Sequence, residues 1–295
     1  MRILGRAIPA LGWVVALAIC HAVAICPAPA LAGDSPGERG ALPSYLKDRG
    51  AGVPTSMFGI YAGQGELLVY PFFEYYQDHD AEYSPQELGY GLDQDFRGEY
   101  EASEGLLFIG YGLSRRISIE FEAAMISAEL EKSPSDTTGT PEELSESGLG
   151  DVESRIYWQW LDETSSRPAA FSYGEVVFPT QKDKVLIGTT DWELKYGMGV
   201  VRGFSWGTTT LRAAVEYDAA EEAFGVGEVA VEYLKRISDT FGAFAAVEGT
   251  EDEWELILEA QVHVSSLALL KLNSAFALTS KATDWAPEVG VLFRF

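Results

Sequence analysis

The last eleven residues of the chain, 285–295, alternate strictly between two kinds of side chain. One face of an extended chain would carry Trp285, Pro287, Val289, Val291, Phe293 and Phe295. The other face would carry Ala286, Glu288, Gly290, Leu292 and Arg294. This period of two predicts a β-strand with one apolar face and one mixed or polar face. A soluble sheet and a membrane β-barrel both contain such strands, so the rest of the chain must decide between them.

Eleven earlier segments, each bounded by turn residues, have similar lengths and patterns. The predicted strands are 66–77, 97–111, 116–131, 150–161, 168–178, 192–203, 208–218, 224–235, 240–249, 253–264, 267–279 and 285–295. In the tenth segment, Leu256 and Leu258 alternate with Glu255 and Glu259. The even number of strands favours an all-β fold, a transmembrane antiparallel up-and-down β-barrel of about 12 strands over residues 65–295. A soluble β-sandwich is the alternative.

The connections and the tryptophans support the barrel over the sandwich. Three connections, beginning at Asp78, Ser133 and Pro179, are long and polar, whereas turns such as 112–115 are short, which is the asymmetry of outer-membrane barrels. Tryptophans stand near strand ends, where amphipathic rings form the interfacial girdles of membrane proteins. The predicted girdle residues are Trp158, Trp160, Trp192, Trp206, Trp254 and Trp285.

The N-terminus has the organisation of a cleaved signal peptide, predicted over residues 1–32. Arg2 and Arg6 precede an apolar run, and Ala30-Leu31-Ala32 forms an A-x-A site. Both cysteines lie within this segment, so disulfide and thiolate chemistry are not expected afterwards. The remaining chain has 19 basic and 45 acidic residues, a net charge of −26 that disfavours nucleic acid as a partner. Residues 33–64 are interpreted as a periplasmic N-terminal segment or a partial plug, with a short helix candidate at 43–49.

Two resemblances extend this interpretation. A terminal strand that ends on Phe295, with Phe293 on the same face, resembles the C-terminal signature of bacterial outer-membrane barrels. This implies outer-membrane lipid and, through the C-terminal strand, the barrel-assembly machinery as partners. The motifs Gly148-Leu149-Gly150-Asp151 and Phe178-Pro179-Thr180, with Gly188 and Asp191 following, occupy residues 148–191.

The region 148–218 resembles the outer-membrane proteins grouped with the meta-pathway of phenol degradation, and the rest of the barrel does so more loosely. Gln181 departs from that pattern, in which a glycine usually follows Pro-Thr. The resemblance implies an outer-membrane transporter for small, often aromatic solutes, without catalytic residues. The motif glycines and aspartates also suit simple turns.

Period-two alternation predicts an acidic lumen. The acids expected on the inner wall are Glu74, Glu99, Glu101, Glu120, Glu122, Glu153, Glu175, Glu193, Glu216, Glu228, Glu232, Glu255, Glu259 and Glu288. The bases expected there are Arg155, Lys195, Arg212, Lys271 and Arg294. Some acids should pair with these bases across neighbouring strands, and the surplus should favour cations in a pore. The same register predicts that Glu259→Arg is tolerated while Leu258→Arg is not.

Catalytic chemistry has two weak candidates. His263 and Ser265 share one face of a strand, as in barrel-wall lipid hydrolases, but the supporting sequence pattern is absent. Asp78, His79 and Asp80 have the residue types of an outer-membrane protease, yet adjacency in a loop is not geometry. We therefore predict no catalytic residue, cofactor or metal site. A solute channel is the leading hypothesis, ahead of a closed structural or surface-interaction barrel and an outer-membrane lipid hydrolase.

Overall fold

The computed structural model describes residues 42–91, 93–219 and 222–295, so the predicted signal peptide lies outside the described residues. Ser44–Leu46 form a 3₁₀ turn, and two short strands, β1 (Val53–Pro54) and β2 (Tyr61–Ala62), pair with each other. Twelve longer strands follow and form a closed antiparallel barrel, in which each pairs with the next and β14 pairs with β3. Within the described ranges, no helix is long and apolar enough to cross a membrane.

The barrel strands run without a crossover. They are β3 (Leu67–Tyr83), β4 (Phe96–Gly112), β5 (Ile117–Glu131), β6 (Glu143–Leu161), β7 (Ala169–Phe178), β8 (Glu193–Phe204), β9 (Gly207–Asp218), β10 (Ala223–Arg236), β11 (Phe241–Gly249), β12 (Trp254–His263), β13 (Ala268–Ala277) and β14 (Trp285–Arg294). This confirms the prediction of a twelve-stranded antiparallel barrel. We call the end with the short connections, including 113–116 and 205–206, the turn end, and the opposite end the loop end.

Two strands are longer than the sequence predicts. The prediction that a loop begins at Asp78 is wrong, because β3 continues to Tyr83. The prediction that the fourth strand begins at residue 150 is also wrong, because β6 begins at Glu143. These additions lie at the loop end and are mostly polar, so neither face of the added segments is continuously apolar. Without one apolar face, alternation gives no sequence evidence of a strand.

The outer wall of the barrel is apolar. Eleven of the twelve barrel strands, all except β7, place large apolar side chains outward, where they are exposed to the surroundings rather than packed in a core. Examples are Phe73, Leu107, Phe121, Met125, Ile156, Leu194, Met198, Leu211, Val215, Val231, Leu258, Leu272 and Val289. Monomeric soluble proteins rarely expose a continuous apolar surface of this extent, whereas a transmembrane barrel requires one.

The N-terminal segment, residues 42–66, lies inside the barrel at the turn end. Ser56 contacts Glu120 on β5, the Phe58 ring stacks on Phe244 of β11 with centroids 5.2 Å apart, and the Phe58 carbonyl accepts a hydrogen bond from Lys271 of β13. Because these strands stand on different sides of the barrel, the segment crosses the lumen.

A second inward element enters from the loop end. The connection between β7 and β8, residues 179–192, buries Ile187 against Ala102 and Ala128, which both face inward. The backbone of Leu186 donates to Glu146 at 2.8 Å and accepts from the Tyr100 hydroxyl at 3.3 Å. The lumen is therefore narrowed from both ends.

Candidate functional site

A cavity of about 570 Å³ lies in the lumen between these two inward elements. Residues 56–58 line it from the N-terminal segment, and residues 185–189 line it from the β7–β8 connection. Apolar side chains such as Phe58, Phe72, Leu106 and Val177 form part of its wall. The size falls within the usual range for small-molecule sites.

The polar part of this cavity is strongly acidic. Nine carboxylates line it: Glu74, Glu104, Glu122, Asp151, Glu153, Glu193, Glu248, Glu255 and Glu288. Lys271 is the only basic residue among the described residues that line it. Burying so many carboxylates dry and without partners would be costly, which favours a hydrated cavity.

Part of this acidity is neutralised by a ladder of ion pairs along the inner wall from β5 to β11. Arg155 pairs with Glu153 and Glu175 and lies 3.9 Å from Glu122. Lys195 lies 3.2 Å from Glu175 and 3.7 Å from Glu216.

Arg212 continues the ladder on the next strands. Its guanidinium contacts Glu228, Glu232 at 2.6 Å and Glu248 at 2.7 Å. One base thus neutralises part of three carboxylates, and the ladder retains a negative excess.

Five further acids of the cavity lie outside this ladder. Among the ion pairs of the described residues, none includes Glu74, Glu104, Glu193, Glu255 or Glu288. Glu288 accepts a hydrogen bond from the Tyr70 hydroxyl. The Asp151 carboxylate accepts amide hydrogen bonds from Thr180 at 2.8 Å and from Thr189. Asp151 thereby shapes the inward connection, in agreement with a structural role for the motif aspartate.

Beneath the cavity, two acids are fully buried against the N-terminal segment. Glu120 accepts hydrogen bonds from the hydroxyl and the amide of Ser56, at 2.7 and 3.1 Å. Glu259 lies 3.1 Å from the Lys271 ammonium, and both side chains are at most 1% exposed. Because Glu259 is buried and paired, the expectation that Glu259→Arg is tolerated is wrong.

The structure places seventeen of the nineteen predicted lumen residues on inward faces: sixteen, Glu232 among them, belong to the ladder, the cavity or the buried acids, and the seventeenth is Arg294. Arg294 pairs with Glu66 of the N-terminal segment at 2.8 Å. Glu99 and Glu101 are exposed on the outer face of β4, so their prediction as lumen residues is wrong. The residues of β4 that face inward have even numbers, so it is Glu104 of this strand that faces the cavity.

Sequence reasoning also missed Glu248, which lines the cavity and pairs with Arg212. The strand 241–249 is rich in alanine and glycine on both faces, so its alternation is weak. The cross-strand partner of Glu248 is Glu255, and this register could not be read from one sequence.

The predicted girdle residues lie at strand ends. Trp192 precedes β8, while Trp254 and Trp285 begin β12 and β14, all at the loop end. At the turn end, Trp206 stacks between Phe204 and Tyr233, with centroids 4.7 and 5.8 Å away. Trp158 and Trp160 project outward near the end of β6. At the C-terminus, the rings of Phe293 and Phe295 stack with centroids 6.4 Å apart on the outer face.

The weak catalytic candidates make other contacts in the structure. The Nε2 atom of His263 lies 2.9 Å from Arg236 Nη1, and Ser265 Oγ accepts the Leu267 amide within its own turn. His79 Nδ1 lies 3.6 Å from Asp284, at the loop end.

Comparisons with known proteins agree with this architecture. The fold is similar to the COG4313 outer membrane channel from Pseudomonas putida F1, with a TM-score of 0.60 and 11% identity over 82% of this chain and 99% of that chain. It is also similar to the translocator domain of the autotransporter NalP from Neisseria meningitidis, with a TM-score of 0.51 and 11% identity over 79% and 89%. No protein-family model and no curated protein matches the sequence. At these identities the likeness shows the fold: the chain has the closed antiparallel β-barrel fold of these outer-membrane proteins.

Proposed function

We propose that this protein is an outer-membrane channel that passes small solutes through the acidic cavity. The observation that carries the proposal is the 570 Å³ cavity, which lies within a closed barrel between two inward elements. A barrel filled only by packed side chains would need no such space. The predicted signal peptide and the apolar outer wall support an outer-membrane location, with the turn end in the periplasm.

The lining supports a particular class of solute. Phe58, Phe72 and Leu106 offer apolar contacts, and the surrounding carboxylates accept hydrogen bonds and attract positive charge. A small molecule with an aromatic or aliphatic body and an amine or hydroxyl group satisfies both kinds of wall. The resemblance of residues 148–218 to the phenol-degradation group supports the aromatic part of this proposal.

Uptake by liposomes tests the channel and the solute class together. Refolded protein would be incorporated into liposomes, and uptake of tyramine, an aromatic cation, compared with that of 4-hydroxybenzoate, an aromatic anion of similar size. We expect protein-dependent uptake that is faster for tyramine. Uptake of both probes at the rate of protein-free liposomes would overturn the proposal.

A closed barrel with a structural or surface-interaction role is the second candidate. It is favoured by the N-terminal segment, which crosses the lumen and contacts β5, β11 and β13. Planar bilayers discriminate between the two functions, because a closed barrel inserts without current steps.

The location and the assembly partner have their own tests. A barrel embedded in outer-membrane lipid stays in the membrane fraction when native membranes are washed with urea, and release into the supernatant would exclude it. Recognition by the barrel-assembly machinery through Phe293 and Phe295 predicts that deleting the final residue lowers the amount of folded barrel in the membrane.

A further inference from the structure

The seam that closes the barrel, between β3 and β14, differs from the other strand pairs. Among the twelve described barrel strands, only these two contain proline, Pro71 in β3 and Pro287 in β14. Proline has no amide hydrogen and is normally confined to sheet edges and bulges. A closed barrel has no free edge, so both prolines occupy a position where a donor is required.

The direction of the backbone shows which ladder loses these donors. Leu67 and Phe295 exchange two hydrogen bonds of 2.9 Å, and Arg294 donates to Leu267 on the other side. Odd-numbered residues of both strands therefore direct their amides across the seam. Pro71 would face Val291 and Pro287 would face Tyr75, so each of these positions lacks one hydrogen bond.

The pairing pattern agrees with this deduction. Val69 pairs with Phe293, Phe73 with Val289 and Gln77 with Trp285, in one constant register. Pairing is interrupted at the two intervening positions, which are those of the prolines. The neighbouring seam, between β13 and β14, pairs without interruption from Phe276–Trp285 to Ala268–Phe293. The gaps are therefore missing hydrogen bonds rather than bulges.

The lumen behind the two gaps is different. Behind the gap at Pro71, Tyr70 and Leu292 are fully buried and pack with Ile60 and Ala62 of the N-terminal segment. Behind the gap at Pro287, Tyr76 and Ala286 line the 570 Å³ cavity. Only the second gap separates open space from the lipid.

Two further features weaken the seam beside this second gap. Glu74 and Glu288 are direct cross-strand partners and both line the cavity, and like charges in such positions are destabilising. On the outer face, Phe73, Trp285 and Val289 are exposed and give an apolar surface to a departing solute.

We infer that the β3–β14 seam at Pro287 is a lateral portal, through which small apolar solutes with a hydrogen-bond donor pass between the cavity and the membrane. This inference rests on the proposed channel function and adds the route. Separation of Tyr75 from Pro287 breaks fewer hydrogen bonds than separation at any fully paired position of the wall. A solute that takes this route moves directly from the carboxylate-lined cavity into the lipid. It does not have to pass the buried contacts of the N-terminal segment.

A reversible tether across the seam tests the portal. Phe73→Cys/Val289→Cys joins two outward-facing register partners beside the gap. The matched control is Leu211→Cys/Val231→Cys, which joins outward-facing partners of β9 and β10 on another side of the barrel. The described residues contain no cysteine, so each double variant presents one new pair to an oxidant.

The probe is N-phenyl-1-naphthylamine, an apolar aromatic amine that fluoresces in phospholipid and is excluded by an intact lipopolysaccharide leaflet. Cells that display the protein should take it up faster than cells without it. Oxidation of the seam tether should slow uptake several-fold, and reduction should restore it, while the control tether has no effect. Pro287→Val, which restores the missing amide, should slow uptake without any tether.

Unchanged uptake with the oxidised seam tether would overturn the portal, and so would an equal loss with both tethers. Ion conductance in planar bilayers separates this failure from failure of the channel. If wild-type protein conducts ions but does not increase uptake of the probe, the portal is excluded and the channel remains. If it does neither, the proposed function fails, and the portal fails with it.

Discussion

Arg49 and Glu163 form a buried ion pair at the turn end of the barrel, with Nη2 and Oε2 2.8 Å apart and side chains only 3% and 1% exposed. The pair joins the N-terminal segment to the connection between β6 and β7. Glu163 also accepts the Gly203 amide at 2.9 Å, and the Arg49 guanidinium lies 4.9 Å from the ring centroid of Tyr61. The position of the N-terminal segment thus depends on charge pairing as well as on apolar packing.

Removal of one partner should therefore destabilise the barrel. In Arg49→Met, the Glu163 carboxylate stays buried and keeps the Gly203 amide, but its nearest cation is then the more distant Arg202, at 3.7 Å. Breaking a buried pair in this way costs about 3–5 kcal/mol. We expect a lower urea midpoint, measured by the gel-mobility shift between folded and unfolded barrel.

The matched control is Arg116→Met. Arg116 lies 2.7 Å from Asp162, in neighbouring connections of the same end, but these side chains are 53% and 52% exposed. An exposed pair contributes only about 0–1 kcal/mol. Equal losses in the two variants would mean that the N-terminal segment is not held by Arg49.

A second buried pair, Lys271 and Glu259, allows a double-mutant cycle. Lys271→Met should cost about 3–5 kcal/mol because it leaves a buried carboxylate without its cation. Adding Glu259→Gln should recover part of the loss, since the double variant buries no uncompensated charge. The free energies of unfolding of the two single variants and the double variant are the measurement. Additive losses would contradict a direct interaction between the two groups.

The sequence predicts the barrel well because one face of each strand meets lipid and the other meets the lumen. Apolar and polar side chains therefore alternate along a strand, as Leu256 and Leu258 do with Glu255 and Glu259. It predicts poorly where both faces are polar, as at 78–83, or where both are small, as around Glu248. The ion pairs depend on which strands are neighbours and in what register they pair. The three acids that contact Arg212 therefore could not be identified as its partners from the sequence. The inward fold of residues 179–192 depends on contacts with distant strands.

The lipid-facing register of β12 can be tested with one pair of variants. Leu258 is 48% exposed on the outer wall, whereas Glu255 faces the cavity. Leu258→Arg should hinder insertion, at a cost of about 2–4 kcal/mol if the cation lies near the bilayer midplane. Glu255→Arg should insert normally, because its cation meets other carboxylates and water. The folded fraction after refolding into lipid vesicles is the measurement, and similar behaviour of both variants would refute the register.

The surplus of acids in the lumen predicts ion selectivity. Glu74, Glu104 and Glu255 line the cavity, and none belongs to an ion pair among the described residues. Their negative charges lower the energy of a cation in the cavity and raise that of an anion, as acidic rings do in cation channels. We expect the reversal potential across a potassium chloride gradient in a planar bilayer to show a preference for potassium. The preference should decrease towards 1 M salt, where the Debye length falls to about 3 Å.

Neutral variants identify the carboxylates responsible. Glu74→Gln/Glu255→Gln removes two charges from the cavity wall at constant size, and should shift the reversal potential towards the nonselective value. Glu99→Gln/Glu101→Gln is the matched control, because it removes two charges from the outer face of the neighbouring strand. This control should leave selectivity unchanged, since those charges lie outside the conduction path. A chloride-selective wild type, or equal shifts in both variants, would show that the surplus carboxylates of the cavity do not govern the passage of ions.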